Sequence, residues 1–254
     1  MTEEDILLAG RLADAAGAAI RPYFRARFDI ETKADLSPVT QADRAAESAI
    51  REILNVERPE DGIFGEEYGV EREGAERVWV IDPIDGTRSF IAGRPIFGTL
   101  IALVEAGRPV LGVIDQPIGG DRWLGAVGRP TLLNGAPAHT RACAGLARAH
   151  LATTGPGYFS AEERERFEAL SAAARDTLWG GDCFNYGLVA SGHLDLVVEA
   201  GLKLYDFAAL VPVVEGAGGR MCDWSGAPLT GASDGRVVAA GDARIVDEVL
   251  AKLG

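Results

Sequence analysis

The segment Val78–Thr87, Val-Trp-Val-Ile-Asp-Pro-Ile-Asp-Gly-Thr, constrains the fold more than any other part of the chain. Val78–Ile81 is apolar and rich in β-branched and aromatic side chains, which predicts a buried strand. We expect this strand to end at Asp82-Pro83, because proline cannot donate to a strand ladder. Asp85-Gly86 then predicts a tight turn, and Thr87 is a candidate N-cap for a short helix that follows.

Asp82 and Asp85 place two carboxylates at the end of a buried strand, where charge is costly unless a positive group balances it. A hard divalent cation explains the pair, because Mg²⁺ accepts a few carboxylates and keeps positions for phosphate oxygens and water. Asp-Pro and Asp-Gly are also common turn dipeptides, and taken alone they favour an ordinary turn. The metal interpretation therefore depends on residues elsewhere in the chain.

The composition is that of a globular protein with excess negative charge. Of the 254 residues, 47% are apolar and 25% are charged, enough for a sizeable core in one large domain or two fused lobes. The net charge of −13 argues against nucleic acid and anionic membrane surfaces as partners, since both require cationic contacts. The chain has no apolar run long enough to span a membrane, and its acidic start lacks the basic region of a signal peptide.

The cysteines and histidines do not suggest a metal site. The cysteines fit neither a zinc spacing nor a disulfide framework; they are Cys143, Cys183 and Cys222. The histidines are scattered; they are His139, His150 and His193. Reduced, mostly buried thiols in a cytoplasmic protein are therefore expected.

The pattern of the chain changes near residue 145. Before this point, two amphipathic helices, one over about Glu3–Arg25 and one starting near Thr40, precede apolar runs typical of antiparallel strands. After it, helical and strand patterns alternate. We predict an N-terminal α+β lobe with the metal-binding motifs over residues 1–145 and a C-terminal α/β lobe over residues 146–254. In the second lobe, Pro212 predicts a kink or an early end of a helix that starts at Tyr205.

Three shorter segments are ambiguous when they are considered alone. Thr40 and Asp43 have the spacing of a capping box, with Asp in place of the usual Glu, and this spacing favours a capping role for Asp43. Gly65–Glu67 is typical of an acidic surface turn. Ile30–Lys33 is a candidate strand, and Asp35–Val39 is a candidate loop.

Four segments, in this order along the chain, resemble the signature of the inositol monophosphatase family of metal-dependent phosphatases. They are Pro38–Asp43, Gly65–Glu67, Asp82–Thr87 and Tyr205–Gly219. The resemblance covers nearly the whole chain, which makes it far more specific than a lone motif. It implies the α+β fold of that family, a layered αβαβα sandwich shared with fructose-1,6-bisphosphatase. It also implies a homodimer that acts on a small phosphorylated substrate.

The resemblance implies a set of metal ligands made only of hard oxygen atoms, which suit Mg²⁺. Glu66, Asp82 and the backbone carbonyl of Ile84 would hold one Mg²⁺. Asp82 would bridge to a second ion that Asp85 and Asp206 also hold. A third, weaker ion near Glu66 would bring the number to two or three ions per site. Ions about 4 Å apart can hold the attacking and leaving oxygens of an in-line displacement.

The resemblance also assigns the remaining catalytic roles. Water activated by the metal would attack the phosphate, so no covalent intermediate with the enzyme is needed. Thr87 would orient this water, and Asp43 would accept a hydrogen bond from Thr87. Gly86 and Thr87, at the start of a short helix, would bind phosphate through their backbone N–H groups.

Two other classes of protein are remote alternatives. The central segment superficially resembles the Asp-x-Asp-Gly-Thr motif of haloacid-dehalogenase phosphatases, which form an aspartyl phosphate. That motif separates its aspartates by one residue, whereas two residues separate Asp82 from Asp85, and it usually follows the first strand of a domain. A non-catalytic binding module would require the loss of a metal ligand, and no expected ligand position is lost.

Several positions depart from the inositol-phosphate members and resemble the histidinol-phosphate phosphatase branch, which serves histidine biosynthesis. They are Arg88-Ser89-Phe90, Asp115-Gln116-Pro117, Tyr205-Asp206 and, above all, Trp179–Cys183. Histidinol phosphate carries an ammonium and an imidazole. Alignment with the family places Asp182 and Glu199 beside the bound ester, where they could accept N–H hydrogen bonds.

Alternatives remain open for these residues and for the substrate. Asp182 is equally well explained as a cap of the helix that starts at Cys183. Glu199 could be a simple acid at the end of a strand. Inositol 1-phosphate, or another small polyol or sugar phosphate, is the alternative substrate.

Overall fold

The computed structural model describes residues 1–26, 30–32 and 38–254. The elements up to residue 137 are α1 (Glu3–Ile20), β1 (Ile30–Thr32), β2 (Pro38–Thr40), α2 (Gln41–Glu57), β3 (Gly62–Gly65), β4 (Gly69–Glu71), β5 (Arg77–Asp85), α3 (Thr87–Ile91), β6 (Gly98–Glu105), β7 (Arg108–Asp115), β8 (Arg122–Ala126), β9 (Leu132–Leu133) and β10 (Ala136–Pro137). Those that follow are β11 (His150–Thr153), α4 (Ala161–Ala173), β12 (Asp176–Trp179), α5 (Phe184–Ala190), β13 (Leu196–Glu199), α6 (Leu204–Phe207), α7 (Leu210–Gly216), β14 (Arg220–Cys222), β15 (Val237–Ala240) and α8 (Val246–Leu253).

Within the described residues, two large sheets alternate with layers of helices. The first sheet has the order β10-β9-β8-β7-β6-β5-β3-β4 and is antiparallel except for the parallel pair β3 and β5. The second has the order β12-β11-β13-β15-β14. α1 and α2 cover the outer face of the first sheet, α5 and α7 lie between the sheets, and α4 and α8 cover the outer face of the second. The predicted αβαβα sandwich is confirmed.

Strand β6 shows that the first sheet is buried on both faces. Leu100 and Ala102 pack toward α5 and α7, whereas Ile101 and Leu103 pack toward α1 and α2. Successive side chains of a strand point to opposite faces, so an uninterrupted apolar run indicates a strand that is covered on both sides.

Helix α7 lies very close to the first sheet because β7 and β8 present bare backbone to it. A Cβ atom at Gly112 would overlap the carbonyl oxygen of Ala209, and one at Gly125 would overlap that of Pro212. Glycine permits this approach. The short helix α6, which directly precedes α7, consequently lies against β5 and β6.

Local signals explain where several helices begin and end. Thr40 is the N-cap of α2 and forms the predicted capping box with Asp43. α1 ends at Ile20 rather than near Arg25, because Pro22 lacks the N–H that a continuing helix would need. The helix predicted from Tyr205 is split into α6 and α7, because the ring of Pro212 would clash with the carbonyl four residues before it.

The prediction that strand β5 ends at Asp82 is wrong, because the strand continues to Asp85. Asp82 pairs with Leu100 of β6 and Asp85 pairs with Gly98, so three steps along β5 match two along β6. This β-bulge interrupts the ladder between the two aspartates. The missing N–H of Pro83 therefore costs no ladder hydrogen bond, and the strand can pass through the proline.

The segment between α1 and α2 forms a small antiparallel pair, β1 with β2. β1 falls on the predicted strand Ile30–Lys33. Pro38 and Val39, predicted as part of a loop, belong to β2 instead. The rest of the two predicted segments, Lys33 and residues 35–37, lies outside the described residues.

The division into lobes at residues 145 and 146 stays a prediction. The first sheet ends at Pro137 and the second begins at His150, so the strands separate near this point. The helices do not separate in the same way, because α7 packs on β7 and β8 of the first sheet. A shared helical layer therefore joins the two halves.

Candidate functional site

Acidic side chains that are far apart in the sequence line one cavity of about 240 Å³. Carboxylate oxygens of Asp82, Asp85 and Asp206 lie within 4.8 Å of one another. Glu66 lines the same cavity. The structure thus brings together the four carboxylates that were predicted as metal ligands.

The ends of β3 and β5 position three of these carboxylates. The two strands are parallel, and the backbone N–H of Glu66 donates to the carbonyl of Ile81 at 3.1 Å. Glu66 is thereby held beside Asp82. On a regular strand, residues three apart point to opposite faces. The bulge in β5 changes this relation, so that both Asp82 and Asp85 line the cavity.

Each aspartate of the cluster accepts a hydrogen bond from a backbone N–H. Ile84 donates to Asp82 at 3.0 Å, Cys183 donates to Asp85 at 2.5 Å, and Lys203 donates to Asp206 at 2.6 Å. These bonds orient the carboxylates without neutralising their charge.

The cluster carries strong electrostatic repulsion. Burial raises the pKa of Asp82 well above its usual range, and Glu66, Asp85 and Asp206 raise it further. Burial also raises the pKa of Asp206 to about 7. For Asp85, burial raises the pKa together with repulsion from Asp182 and Asp206. In the metal-free cluster the protonated carboxyls are therefore favoured, because nearby groups do not balance their negative charge.

The chemistry of the donors fits a hard divalent cation. The cluster offers only oxygen ligands, as Mg²⁺ prefers. The carbonyl oxygen of Ile84 lies within the bulge, between Asp82 and Asp85, and accepts a hydrogen bond from the Thr87 hydroxyl at 3.2 Å. A carbonyl has two lone pairs, so Ile84 can also coordinate an ion.

The predicted pairing of Asp43 with Thr87 differs from what the structure shows. The Thr87 hydroxyl donates to Ile84, and a hydroxyl has a single proton to donate. Asp43 accepts hydrogen bonds from the backbone N–H and the hydroxyl of Thr40, which is its capping role. The orientation of water by these two residues stays a prediction.

Gly86, not Thr87, is the N-cap of α3, so the capping role predicted for Thr87 is wrong. Gly86 has a φ of +86°, which glycine adopts without strain. A Cβ atom here would lie 2.7 Å from Oδ2 of Asp182. The turn therefore requires glycine for two reasons: its φ is positive, and the Asp182 carboxylate leaves no room for a side chain.

Asp182 does not cap the helix that follows it. α5 begins at Phe184, and its N-cap Cys183 makes no side-chain capping bond. Instead, Oδ2 of Asp182 accepts a hydrogen bond from the Ser89 hydroxyl at 2.7 Å. Burial raises the pKa of Asp182, and Ser89, Arg94 and Arg88 offset part of this effect. The carboxylate lines the cavity beside Gly86.

Glu199 is the last residue of β13 and also lines the cavity. Its Oε1 accepts from the backbone N–H of Thr154 at 2.8 Å and from the Thr154 hydroxyl, and its Oε2 accepts from the Tyr186 hydroxyl at 3.2 Å. Burial raises the pKa of Glu199 to about 7, against the effect of these donors. The side chain is thus fixed in place with capacity for one more donor.

Two cationic side chains of the cavity wall were not recognised from the sequence. They are Arg88 and Lys203. The guanidinium of Arg88 lies over the ring of Tyr158, 5.6 Å from its centroid. Arg88 stood out in the sequence only as a departure from the inositol-phosphate pattern. Tyr158 gives no local signal, because its neighbours in the cavity come from distant segments.

The three cysteines are buried and unbridged, as predicted. Burial raises the pKa of Cys183 well above its usual range, and the neighbouring Asp85 raises it further, so this thiol is not an activated nucleophile. Across residues 1–26, 30–32 and 38–254, every helix is too short or too polar to cross a bilayer.

Comparison with known proteins gives consistent matches. The sequence model of the inositol monophosphatase family matches residues 1–253. The chain is 50% identical to the bifunctional phosphatase IMPL2, chloroplastic, of Arabidopsis thaliana, over 95% of this chain and 72% of that protein. It is 40% identical to a histidinol-phosphatase of Mycobacterium tuberculosis, over 100% of this chain and 99% of that protein.

A solved structure agrees with these sequence matches. An inositol monophosphatase from Zymomonas mobilis is 59% identical and superposes with a TM-score of 0.92, over 99% of this chain and 98% of that one. The family match covers almost the whole chain, and the fold and the acidic cavity are those that the four sequence segments implied. This chain belongs to the inositol monophosphatase family.

Proposed function

We propose that this protein is a Mg²⁺-dependent phosphomonoester hydrolase that acts on histidinol phosphate through attack by activated water. The observation that carries the proposal is one cavity lined both by the carboxylate cluster and by two further acids, Asp182 and Glu199. The histidinol-phosphatase of Mycobacterium tuberculosis, 40% identical over 99% of its length, supports the choice of substrate.

The carboxylate cluster would hold two or three Mg²⁺ ions. Glu66, Asp82 and the carbonyl of Ile84 would hold one ion, and Asp82, Asp85 and Asp206 would hold a second. A third would lie near Glu66. When bound, Mg²⁺ polarises phosphoryl oxygens and acidifies water.

The start of α3 would bind the phosphate and position the water. The backbone N–H groups of Gly86 and Thr87 can donate to phosphate oxygens, as the first N–H groups of many helices do. The Thr87 hydroxyl already donates its proton to Ile84, so it faces a water molecule as an acceptor. It can therefore hold the water by accepting a hydrogen bond from it, and Asp43 would contribute from the first turn of α2.

Asp182 and Glu199 would recognise the head of the substrate. Both are carboxylates in the wall of a cavity whose phosphate end carries the cluster. An ammonium or a protonated imidazole is a strong donor to a carboxylate, whereas a polyol offers only neutral hydroxyls. These two acids in the cavity wall therefore favour a cationic substrate over inositol phosphate.

A phosphate-release assay on a panel of esters tests the proposal. The panel contains histidinol phosphate, inositol 1-phosphate, fructose 1,6-bisphosphate and AMP. We expect the highest kcat/KM on histidinol phosphate, no activity with EDTA and recovery with Mg²⁺. Full turnover in metal-free buffer would contradict the metal mechanism. A preference for inositol 1-phosphate would overturn the substrate assignment alone.

Asp182→Asn tests the recognition of the substrate head. The variant keeps shape and the bond from Ser89 but removes the charge, so kcat/KM on histidinol phosphate should fall by about 10- to 100-fold. Hydrolysis of glycerol phosphate, which lacks a cationic head, should hardly change. Ser89→Ala is the matched control, because it removes the hydrogen bond to Asp182 and keeps the charge. Equal losses on both substrates would show that Asp182 has only a structural role.

Inositol 1-phosphate is the second candidate substrate. The 59% identical protein from Zymomonas mobilis is named as an inositol monophosphatase, which favours this ester. The two candidates differ most in charge. Raising the salt concentration should therefore weaken the binding of histidinol phosphate more than that of inositol phosphate.

We further propose a homodimer in a reducing, cytoplasmic environment. Strand β12 lies at the edge of the second sheet, and its Leu178 and Trp179 are 47% and 52% exposed. An exposed edge strand with large apolar side chains is a natural pairing surface. The unbridged cysteines agree with a reducing compartment. Light scattering of the purified protein measures its oligomeric state.

A further inference from the structure

We propose that Glu47 of α2 is a positioning residue that holds Glu66 in place at the metal cluster. The inference rests on the proposed function, because it assigns Glu66 to a metal ion. Glu47 is not among the residues that line the cavity. It would act entirely through the backbone that follows Glu66.

Glu47 is completely buried, yet its carboxylate is fully engaged with the turn after β3. Its Oε2 accepts from the backbone N–H of Glu67 at 2.8 Å, and its Oε1 accepts from that of Tyr68 at 3.2 Å. These are the two N–H groups directly after Glu66. A buried charge is expensive, so its place beneath this turn indicates a specific use.

Gly65 makes room for this carboxylate from the other side of Glu66. A Cβ atom at residue 65 would overlap Oε1 and crowd Oε2 of Glu47. Gly65 pairs with Ile81 in the regular ladder between β3 and β5. Glycine at this position is therefore explained by the approach of Glu47.

Arg51, one helical turn after Glu47, balances the buried charge. Its Nε donates to Oε1 of Glu47 at 2.7 Å. The rest of the guanidinium donates to the carbonyl of Gly69 at 2.5 Å and to Glu71 at 2.8 Å. The pair from α2 thus holds both ends of the β3–β4 turn.

Glu66 is consequently fixed from two directions. On one side its own N–H donates to Ile81, the residue before Asp82. On the other side Glu47 holds the next two N–H groups. The backbone on which the Glu66 carboxylate depends cannot shift unless one of these contacts breaks. Mutation of a group that holds a metal ligand in place typically lowers metal affinity by about 10- to 100-fold.

Glu47→Gln tests this role, because an amide cannot accept on both sides. Whichever way the amide lies, its NH₂ group faces an N–H donor, either that of Glu67 or those of Tyr68 and Arg51. We expect the dissociation constant of Mn²⁺, measured by electron paramagnetic resonance without substrate, to rise about 10- to 100-fold at one site. Gly65→Ala, which displaces the same carboxylate, should weaken the same site.

A double-mutant cycle separates positioning from a general loss of negative charge. If Glu47 acts through Glu66, adding Glu47→Gln to Glu66→Gln should not weaken Mn²⁺ binding further. If Glu47 acts only by its charge, the losses should add. Additive losses would overturn the proposal.

Glu71→Gln is the matched control. It removes an outer partner of Arg51 and leaves both bonds from the turn to Glu47, so Mn²⁺ affinity should stay at the wild-type value. The proposal is also overturned if Glu47→Gln and Gly65→Ala both lower the urea midpoint while Mn²⁺ binding is unchanged. A wild-type protein that binds Mn²⁺ but hydrolyses no phosphomonoester would refute the proposed function and leave this cycle valid.

Discussion

Replacing Asp206 by Asn should stabilise the metal-free protein above neutral pH, although it removes a proposed metal ligand. Burial, together with Glu66 and Glu199, raises the pKa of Asp206 from 3.8 to about 7. The folded state therefore keeps a proton on this carboxyl over a pH range in which the unfolded chain has lost it. In that range the wild-type protein loses stability as the pH rises. Asparagine is never charged, so it avoids this loss.

The size of the effect follows from the two pKa values. Each pH unit between 3.8 and about 7 corresponds to ~1.4 kcal/mol, so the charge on Asp206 costs up to ~4 kcal/mol at pH 8. Below about pH 4 both states are protonated, and the substitution should have little effect. The Asn oxygen can still accept the N–H of Lys203, which donates to Asp206 at 2.6 Å. We therefore expect a gain of about 1–4 kcal/mol at pH 8.

Urea unfolding in EDTA, at pH 4 and at pH 8, measures this gain. Saturating Mg²⁺ should reverse the order of stability, because a bound ion stabilises the folded state by an amount that grows with the logarithm of its concentration relative to its dissociation constant, and the variant binds the ion weakly. Asp206→Leu is not a suitable substitute, since it also removes the acceptor for Lys203. An Asn variant that is less stable than the wild type at pH 8 in EDTA would refute the reasoning.

Further predictions concern the mechanism and the fold. Rapid quench with ³²P-labelled substrate should leave the protein unlabelled, whereas label on Asp82 or Asp85 would support a phosphoenzyme. If Asp43 helps to orient the attacking water, Asp43→Asn should lower kcat by about 10²-fold or more with little change in KM; if it only caps α2, the variant should lose ~1 kcal/mol of stability and keep its turnover. Asp195→Asn should destabilise the protein by ~1.5–3 kcal/mol at pH 7, since Arg141 contacts this carboxylate at 2.7 and 2.6 Å. Burial raises the pKa of Asp195, but bonds from Arg141 and His150 lower it overall, so urea unfolding should show this contribution disappearing as the pH falls through the acid range.

Features with a local cause could be predicted from the sequence. The capping box of Thr40 and Asp43 depends on residues three apart, and it appears in the structure as expected. The break before Pro212 likewise depends on one residue and the turn that precedes it. The carboxylate ligands came from a resemblance that spans the chain, which supplies the long-range information that spacing lacks.

Features that depend on contacts between distant segments could not be predicted. The continuation of β5 through Pro83 depends on its register with β6, which the sequence of β5 does not contain. The largely exposed residues of β12 show no alternation, so this segment alone does not predict a strand. Glu47 looks like any glutamate on an amphipathic helix until the turn at Glu67 is placed against it.

Because of the bulge in β5, Asp82 and Asp85 can share a cavity only if the strand keeps its irregular register; the two aspartates alone are not enough. Two aspartates copied at the same spacing onto a regular strand of another protein would point to opposite faces and could not share an ion. Deletion of either intervening residue would also shift Asp85 in its pairing with Gly98. In transplanting or redesigning this site, the unit to preserve is consequently the three-against-two register of β5 and β6, and insertions or deletions here should be tolerated far less than conservative substitutions.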